Sequence, residues 1–131
     1  GREVGRCNNT MAAFSPSLVG ARSVAVYHTA PLPASTREVP GDYWVRPSGE
    51  HIIMGVFEGA RGERFVALGN RDIGEPRMAE VTVEGRVRKV RRMDKGSRQW
   101  KDVPVREEGG ESKVSLEIDK GDIELLEVVR E

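Results

Sequence analysis

Residues 52–70 read IIMGVFEGARGERFVALGN, and this stretch decides the fold class that the sequence predicts. Two apolar runs, residues 52–58 and 64–70, flank a short segment that contains two glycines. Such runs on either side of a glycine-containing loop are typical of two strands joined as a β-hairpin. The glycines precede a strand rather than a helix, so we interpret them as a turn and not as a phosphate-binding loop.

Further runs of the same kind occupy the rest of the chain. Downstream of the hairpin, turn sequences separate five runs, which are residues 79–85, 86–94, 97–105, 112–118 and 122–129. Upstream, SVAVYHT at 23–29 alternates in the same way and leads into APLP, a stiff exit that ends the strand. Short strands with a turn every eight to twelve residues or so predict an antiparallel β-sandwich or a β-barrel.

One segment near the start, residues 9–21, has the spacing of a helix instead. Its apolar residues recur on one helical face and are Met11, Phe14, Leu18 and Ala21. Pro16 limits the segment to a kinked helix or two short pieces. The sequence therefore predicts two parts, a linker with a short helix at 1–22 and a β-sandwich domain at 23–131.

Alternation also predicts which side chains form the core. Val114, Leu116 and Ile118 share one face of their strand and polar residues share the other, which is typical of a strand with one buried side. The strand at 52–58 is apolar on both sides. We expect it to be central, with the opposing sheet on one side and the N-terminal helix on the other.

The charges balance overall but are unevenly placed. The chain has 21 basic and 21 acidic residues, so no global field attracts nucleic acid or an anionic membrane. Residues 86–106 carry nine basic and two acidic side chains, whereas residues 107–131 carry nine acidic and three basic ones. We favour neighbouring strands that neutralise each other over a site for nucleic acid or an acidic glycan, because Trp100 is the only aromatic residue in the basic stretch.

The chain carries neither a membrane span nor a cysteine framework. No apolar run reaches the ~18 residues of a span, and no signal peptide opens the sequence, which predicts a soluble protein of unknown compartment. The single cysteine, Cys7, excludes an internal disulfide and lacks the neighbours of a zinc motif. No cofactor or metal is expected.

Candidate catalytic residues are few. A hydrolase with two carboxylates needs them about 5 to 10 Å apart in a cleft, and Glu58 and Asp72 are the only acids beside an apolar strand end. His28 and His51 lie at strand ends without metal-ligand spacing. We interpret all four as structural, and no catalytic residue is predicted.

Three aromatic residues are candidates for carbohydrate contact: Tyr43, Trp44 and Trp100. Exposed rings of this kind stack on sugars in carbohydrate-binding modules. In the alternative that we favour, Trp100 packs over a sheet edge while Tyr43 and Trp44 cover the end of the core.

Four segments in order carry a resemblance to a known group of proteins. They are SPSLVGARSVAVYHTAPLP at 15–33, IIMGVFEGARGERFVALGNRD at 52–72, RKVRRMDKGSRQWKDVPV at 88–105 and LEIDKGDIELLEV at 116–128. As an ordered set they resemble the C-terminal β-sandwich region that follows the catalytic barrel in bacterial glycoside-hydrolase-like proteins. The expected fold is thus an all-β, antiparallel two-sheet sandwich, immunoglobulin-like or of the galactosidase C-terminal type, with a short N-terminal helix.

The resemblance implies a non-catalytic module, since the acid and the nucleophile of such enzymes lie on the barrel. The expected function is an accessory domain that packs against a catalytic domain and stabilises it. A carbohydrate-binding module that holds a polysaccharide is the alternative, and an independent immunoglobulin-like interaction domain is a weaker one. Neither nucleic acid nor a membrane is an expected partner.

Overall fold

The computed structural model describes residues 20–130, and ten β-strands make up the regular structure of this range. In chain order they are β1 (Arg22–His28), β2 (Val45–Ser48), β3 (Ile52–Glu58), β4 (Arg64–Asn70), β5 (Arg77–Glu84), β6 (Val87–Met93), β7 (Trp100–Val103), β8 (Arg106–Glu108), β9 (Glu111–Ile118) and β10 (Ile123–Arg130). The helix predicted within residues 9–21 lies outside the described residues, apart from Gly20 and Ala21. Nothing in the described range is a helix long and apolar enough to cross a membrane.

The strands form two antiparallel sheets, as the sequence predicts. One has six strands in the order β1-β3-β4-β10-β6-β7, and the other has four in the order β2-β5-β9-β8. The hairpin predicted at residues 52–70 is confirmed, because β3 and β4 pair from Ile52 opposite Asn70 to Glu58 opposite Arg64. The last strand, β10, lies between β4 and β6, so the end of the chain forms the centre of the larger sheet.

The two sheets share one hydrophobic core on their facing sides, which is the arrangement of a β-sandwich. The buried members of this inner core are Val45, Ile52, Met54, Val56, Val66, Leu68, Ala79, Val81, Val83, Val87, Val90, Val114, Leu116, Ile118, Leu126 and Val128. The predicted face of β9 is confirmed, since Val114, Leu116 and Ile118 are buried and Glu117 is exposed. Each such aliphatic side chain contributes about 1.5 to 3 kcal/mol when fully buried.

The six-stranded sheet has a second apolar cluster on the side that faces away from the inner core. Its buried members are Phe65, Ala67, Met93 and Leu125, and its partly buried members are Ala21, Phe57, Trp100 and Ile123. We call these eight residues the outer cluster. Leu125 and Leu126 are both buried because successive side chains of a strand point to opposite sides, one into each cluster.

The basic and acidic segments meet in this sheet. β6 pairs with β10, where the Arg92 guanidinium lies 3.0 Å from a carboxylate oxygen of Glu124, and Arg91 forms an ion pair with Glu127. In the turn after β6, Lys95 Nζ lies 2.6 Å from an Asp122 carboxylate oxygen. The predicted neutralisation between neighbouring strands is therefore confirmed.

Alternation does not predict two of the short strands. β2 contains Pro47, which has no N–H for a ladder, but β2 is an edge strand and pairs only with β5. β8 has three exposed residues and no apolar signal. The strand predicted at 97–105 begins only at Trp100. Residues 94–99 form a turn instead, in which the Asp94 N–H donates a hydrogen bond to the Gln99 carbonyl at 2.9 Å.

Candidate functional site

The three aromatic residues proposed for carbohydrate contact lie in two separate places. Tyr43 and Trp44 pack against the inner core, whereas Trp100 belongs to the outer cluster on the other side of the six-stranded sheet. The fold therefore brings Tyr43 and Trp44 together and does not bring Trp100 to them.

Tyr43 and Trp44 both have close neighbours. The Tyr43 ring meets Tyr27 edge-on, with centroids 5.2 Å apart, and lies 6.3 Å from the Trp44 ring. The Arg64 guanidinium lies 4.6 Å from the centroid of Trp44, and the Arg130 guanidinium lies 5.8 Å from it. Cation–π contacts of this kind occupy a ring face that a sugar would use.

Trp100 is enclosed in a similar way. It stacks on Phe65 with ring centroids 5.9 Å apart and planes inclined by 19°, and the Arg91 guanidinium lies 5.6 Å from its centroid. Arg91 is itself held by Glu127 of β10. The indole thus lies over the sheet, in the position that the favoured packing interpretation expects.

The two acids considered for hydrolysis lie at opposite ends of one hairpin. Glu58 ends β3, and Asp72 follows β4 beyond Asn70, which pairs with Ile52 at the start of β3. Six residue steps separate the two ends of β3, or roughly 20 Å at the rise of a strand. This separation exceeds the spacing of about 5 to 10 Å that carboxylate pairs use in glycoside hydrolysis.

Each of these acids already has partners. Glu58 forms an exposed ion pair with Arg22 at 3.2 Å. One oxygen of Asp72 accepts hydrogen bonds from the N–H groups of Gly74 at 2.8 Å and Glu75 at 3.2 Å, and the other lies 2.6 Å from Arg77 Nη2. The Gly74 N–H and then Arg77 lower the pKa of Asp72 below its ordinary value of 3.8, which is the wrong direction for a general acid.

The histidines lie close to the loops at the end of β1. His28 Nδ1 is buried without a hydrogen-bond partner among the described residues, while His51 N–H donates to the Ala30 carbonyl at 3.0 Å. Arg71 holds the same loop by donating to the Thr29 carbonyl at 2.6 Å and the Pro31 carbonyl at 2.9 Å. Residues 20–130 contain no group of three His, Cys, Asp or Glu side chains able to hold a metal ion.

The sequence pattern did not reveal a cleft of about 650 Å³ that opens between β7 and β9. Its charged lining residues are Arg92, Asp94, Lys95, Lys101, Asp102, Glu117, Asp119, Asp122 and Glu124. Several of these charges pair within the cleft, including Lys101 with Asp94 at 3.3 Å and Lys95 with Glu124 at 2.9 Å. The cleft offers polar groups to a sugar, but its lining includes no aromatic ring.

A groove with both apolar and charged lining residues lies beside the first strand. Val24 and Val26 of β1 are 49% and 50% exposed, although β1 is a strand of the sandwich. Val24, Trp44 and Phe57 line the groove, whose volume is about 170 Å³. The groove lies near the start of β1, and its lining also includes the charged side chains of Glu58 and Arg64.

No protein-family model matches this chain, and no curated protein matches it.

Proposed function

We propose that this chain is a non-catalytic accessory β-sandwich domain of a carbohydrate-active enzyme. In this proposal it packs against a catalytic barrel that precedes it in the parent polypeptide, and stabilises that barrel. The ordered resemblance to the C-terminal region of bacterial glycoside-hydrolase-like proteins supports the proposal, together with the two antiparallel sheets. The sandwich is then immunoglobulin-like or of the galactosidase C-terminal type.

The observation that carries the proposal is the exposed apolar surface of Val24 and Val26 on β1. Two half-exposed valines on an edge strand leave apolar surface in water that burial against a partner would remove, at roughly 25 cal/mol per Å². The groove lies near Arg22, the first residue of β1, and a domain that precedes this chain in a parent polypeptide would be connected through the residues before Arg22. A catalytic barrel that precedes the chain is therefore the partner that we assign to the groove.

The distribution of charged groups supports a non-catalytic role. The two candidate carboxylates lie at opposite ends of a hairpin, and hydrogen bonds from the Gly74 N–H and the Arg77 guanidinium favour the ionised form of Asp72. Several charged side chains of the cleft between β7 and β9 pair with one another. These groups stabilise loops and strands by the same contacts that would hinder proton transfer to a substrate.

The test uses the parent enzyme with its catalytic domain. Val24→Asp combined with Val26→Asp places two charges on the exposed apolar surface of β1, and we expect it to lower the temperature at which the catalytic domain loses activity. The matched control adds two charges at exposed sites away from β1, Gly41→Asp with Gln99→Asp, and should leave that temperature unchanged. If both variants and the unaltered enzyme lose activity at the same temperature, this surface of β1 is excluded as the domain interface.

The alternative function is a carbohydrate-binding module that uses Tyr43, Trp44 and Trp100. Affinity electrophoresis of the isolated chain in gels that contain polysaccharides separates it from the accessory role, since a binding module retains its affinity in isolation. We expect no retardation. Retardation that disappears in Tyr43→Ala or Trp100→Ala, without a loss of stability, would establish the alternative instead.

A further inference from the structure

Three arginine side chains lie together at one end of the six-stranded sheet. Arg64 begins β4, Arg130 ends β10, and Arg61 lies in the turn between β3 and β4. Val128 of β10 is opposite Arg64 in the ladder, so Arg130 is two residues beyond that position. All three arginines line one cleft of about 300 Å³. We call these three residues the arginine cluster.

Trp44 positions two members of the arginine cluster. The Arg64 and Arg130 guanidiniums lie 4.6 Å and 5.8 Å from the centroid of its ring. The attraction between a guanidinium and an aromatic ring is electrostatic, and it does not replace hydrogen bonds from the N–H groups to oxygen atoms. The indole therefore holds two positive groups near each other and leaves N–H donors for another partner.

Within residues 20–130, no carboxylate forms an ion pair with a member of the arginine cluster. The Arg64 side chain donates no hydrogen bond to another described residue, and Arg130 makes only a long one of 3.4 Å to the Glu84 carbonyl. Carboxylates pair with other arginines of the strands at 3.3 Å or less, among them Arg46, Arg77 and Arg92. The arginine cluster differs from these arginines in having no counter-charge.

Two acidic residues also line the cleft, and both already have partners. Glu63 Oε1 accepts a hydrogen bond from the backbone N–H of Arg61 at 2.7 Å. Glu127 forms an ion pair with Arg91 of β6. The three guanidiniums thus exceed the two carboxylates in number, and the carboxylates are engaged in other contacts. An anion that enters the cleft meets an excess of positive charge.

We propose that the arginine cluster is a binding site for an oxyanion, of the class formed by sulfate, phosphate and carboxylate groups. A guanidinium donates two parallel N–H bonds that match the oxygen atoms of such a group. Gly62 and Arg64 also line the groove beside β1, so the site adjoins that surface. The proposal does not depend on the function proposed above, since it concerns an anion that binds to this chain alone.

Nuclear magnetic resonance titration of the full chain tests the proposal. The probes are sodium sulfate, inorganic phosphate and sodium glucuronate, each compared with sodium chloride at equal ionic strength. Trp44 contacts the arginine cluster, whereas Trp100 belongs to the outer cluster. We expect saturable shifts of the Trp44 indole N–H and of the Gly62 amide, and none of the Trp100 indole N–H.

The three probes distinguish the sources of the anion. Saturation by sulfate and phosphate alone would assign the site to tetrahedral anions, and saturation by glucuronate would assign it to the carboxylate of an acidic sugar. If none of the three anions gives saturation, or if both tryptophans shift equally, the proposal is overturned.

Two variants test the residues of the site. Arg64→Gln should raise the dissociation constant about tenfold, because a charged hydrogen-bond donor is lost. Arg61→Gln alters an exposed residue of a turn and leaves the contacts of Trp44 intact, and it should raise the constant about two- to fivefold. An unchanged constant in both variants would overturn the proposal.

Arg98→Gln is the matched control. It removes the same charge from the turn that follows β6, whereas Arg130 pairs with Val87 at the start of β6. The control should keep the dissociation constant of the unaltered chain. A loss in Arg98→Gln as large as in Arg64→Gln would show an effect of overall charge and would overturn the site as well.

Discussion

The indole of Trp100 stacks on the phenyl ring of Phe65, with centroids 5.9 Å apart and planes inclined by 19°. Trp100 begins the edge strand β7 and Phe65 lies on β4, so the contact reaches across β6 and β10. It ties the edge of the larger sheet to its centre on the outer side. The phenyl ring of Phe65 therefore occupies one face of the indole.

Trp100→Ala should therefore destabilise the chain. Removal of a large aromatic side chain from a packed site costs about 3 to 5 kcal/mol, and the half-buried position of Trp100 places the expected loss near the lower end. Urea denaturation of the isolated chain measures it. Asp102→Ala, an exposed position on the same strand, should change stability by no more than about 0.5 kcal/mol. A stable Trp100→Ala variant would contradict the structural role.

The two faces of β9 should respond differently to truncation. Leu116 lies in the inner core and Glu117 is exposed on the opposite side. Leu116→Ala should cost about 2 to 5 kcal/mol through lost burial and an unfilled cavity, whereas Glu117→Ala should stay within about 0.5 kcal/mol. Chemical denaturation compares them directly, and losses of equal size would be inconsistent with the observed faces.

Gly49 should not tolerate a side chain. Its φ angle is +116°, and a Cβ atom would lie 2.5 Å from the Met78 carbonyl oxygen, which belongs to the backbone of β5. Gly49→Ala should destabilise the chain by roughly 1 to 3 kcal/mol, because the substituted residue is strained in this conformation. Gly41, which has open space around it and no positive φ, is the matched control. Gly41→Ala should be neutral or slightly stabilising in the same thermal unfolding experiment.

Stability should fall in weakly acidic solution because of His28. Burial, and after it the positive charge of Arg71, lower the pKa of His28 below its ordinary value of 6.5. The fold thus favours the neutral imidazole. Its contribution to stability is complete above pH 6.5 and is lost as the pH falls from 6.5 toward the lower pKa of the folded state.

Urea denaturation at several pH values between neutrality and about 5 measures this dependence, since unperturbed carboxylates titrate mainly below that range, near pKa 4. His28→Gln should flatten the profile. His51→Gln is the control and should preserve it. A profile that is unaffected by His28→Gln would assign the dependence to another group.

Local pattern predicted most of the strands and their faces. The period of two in residues 112–118 identified the buried side of β9, and the glycine-containing segment between two apolar runs identified the β3–β4 hairpin. These features depend on neighbours in sequence, because alternation and turn chemistry are properties of a few consecutive residues. The missed strand β2 carries Pro47, a residue that local reasoning excludes from strands and that only an edge position allows.

The candidate site could be predicted only in part. Tyr43 and Trp44 are adjacent in sequence and remain neighbours in the fold, but their separation from Trp100 by a whole sheet has no local signal. The charged cleft likewise combines β6, β7, β9 and β10, which are distant in sequence.

Local patterns were enough to predict the all-β class, the turns and the inward face of β9, because each depends on a few consecutive residues. The pairing of β10 with both β4 and β6, and the burial of both of its faces, depend on the tertiary structure. Strand order results from pairing between segments that are distant in sequence. The hydrogen bonds and the buried apolar surface of the whole sheet form together. No short segment encodes that outcome, since the same alternating strand can pair with many neighbours.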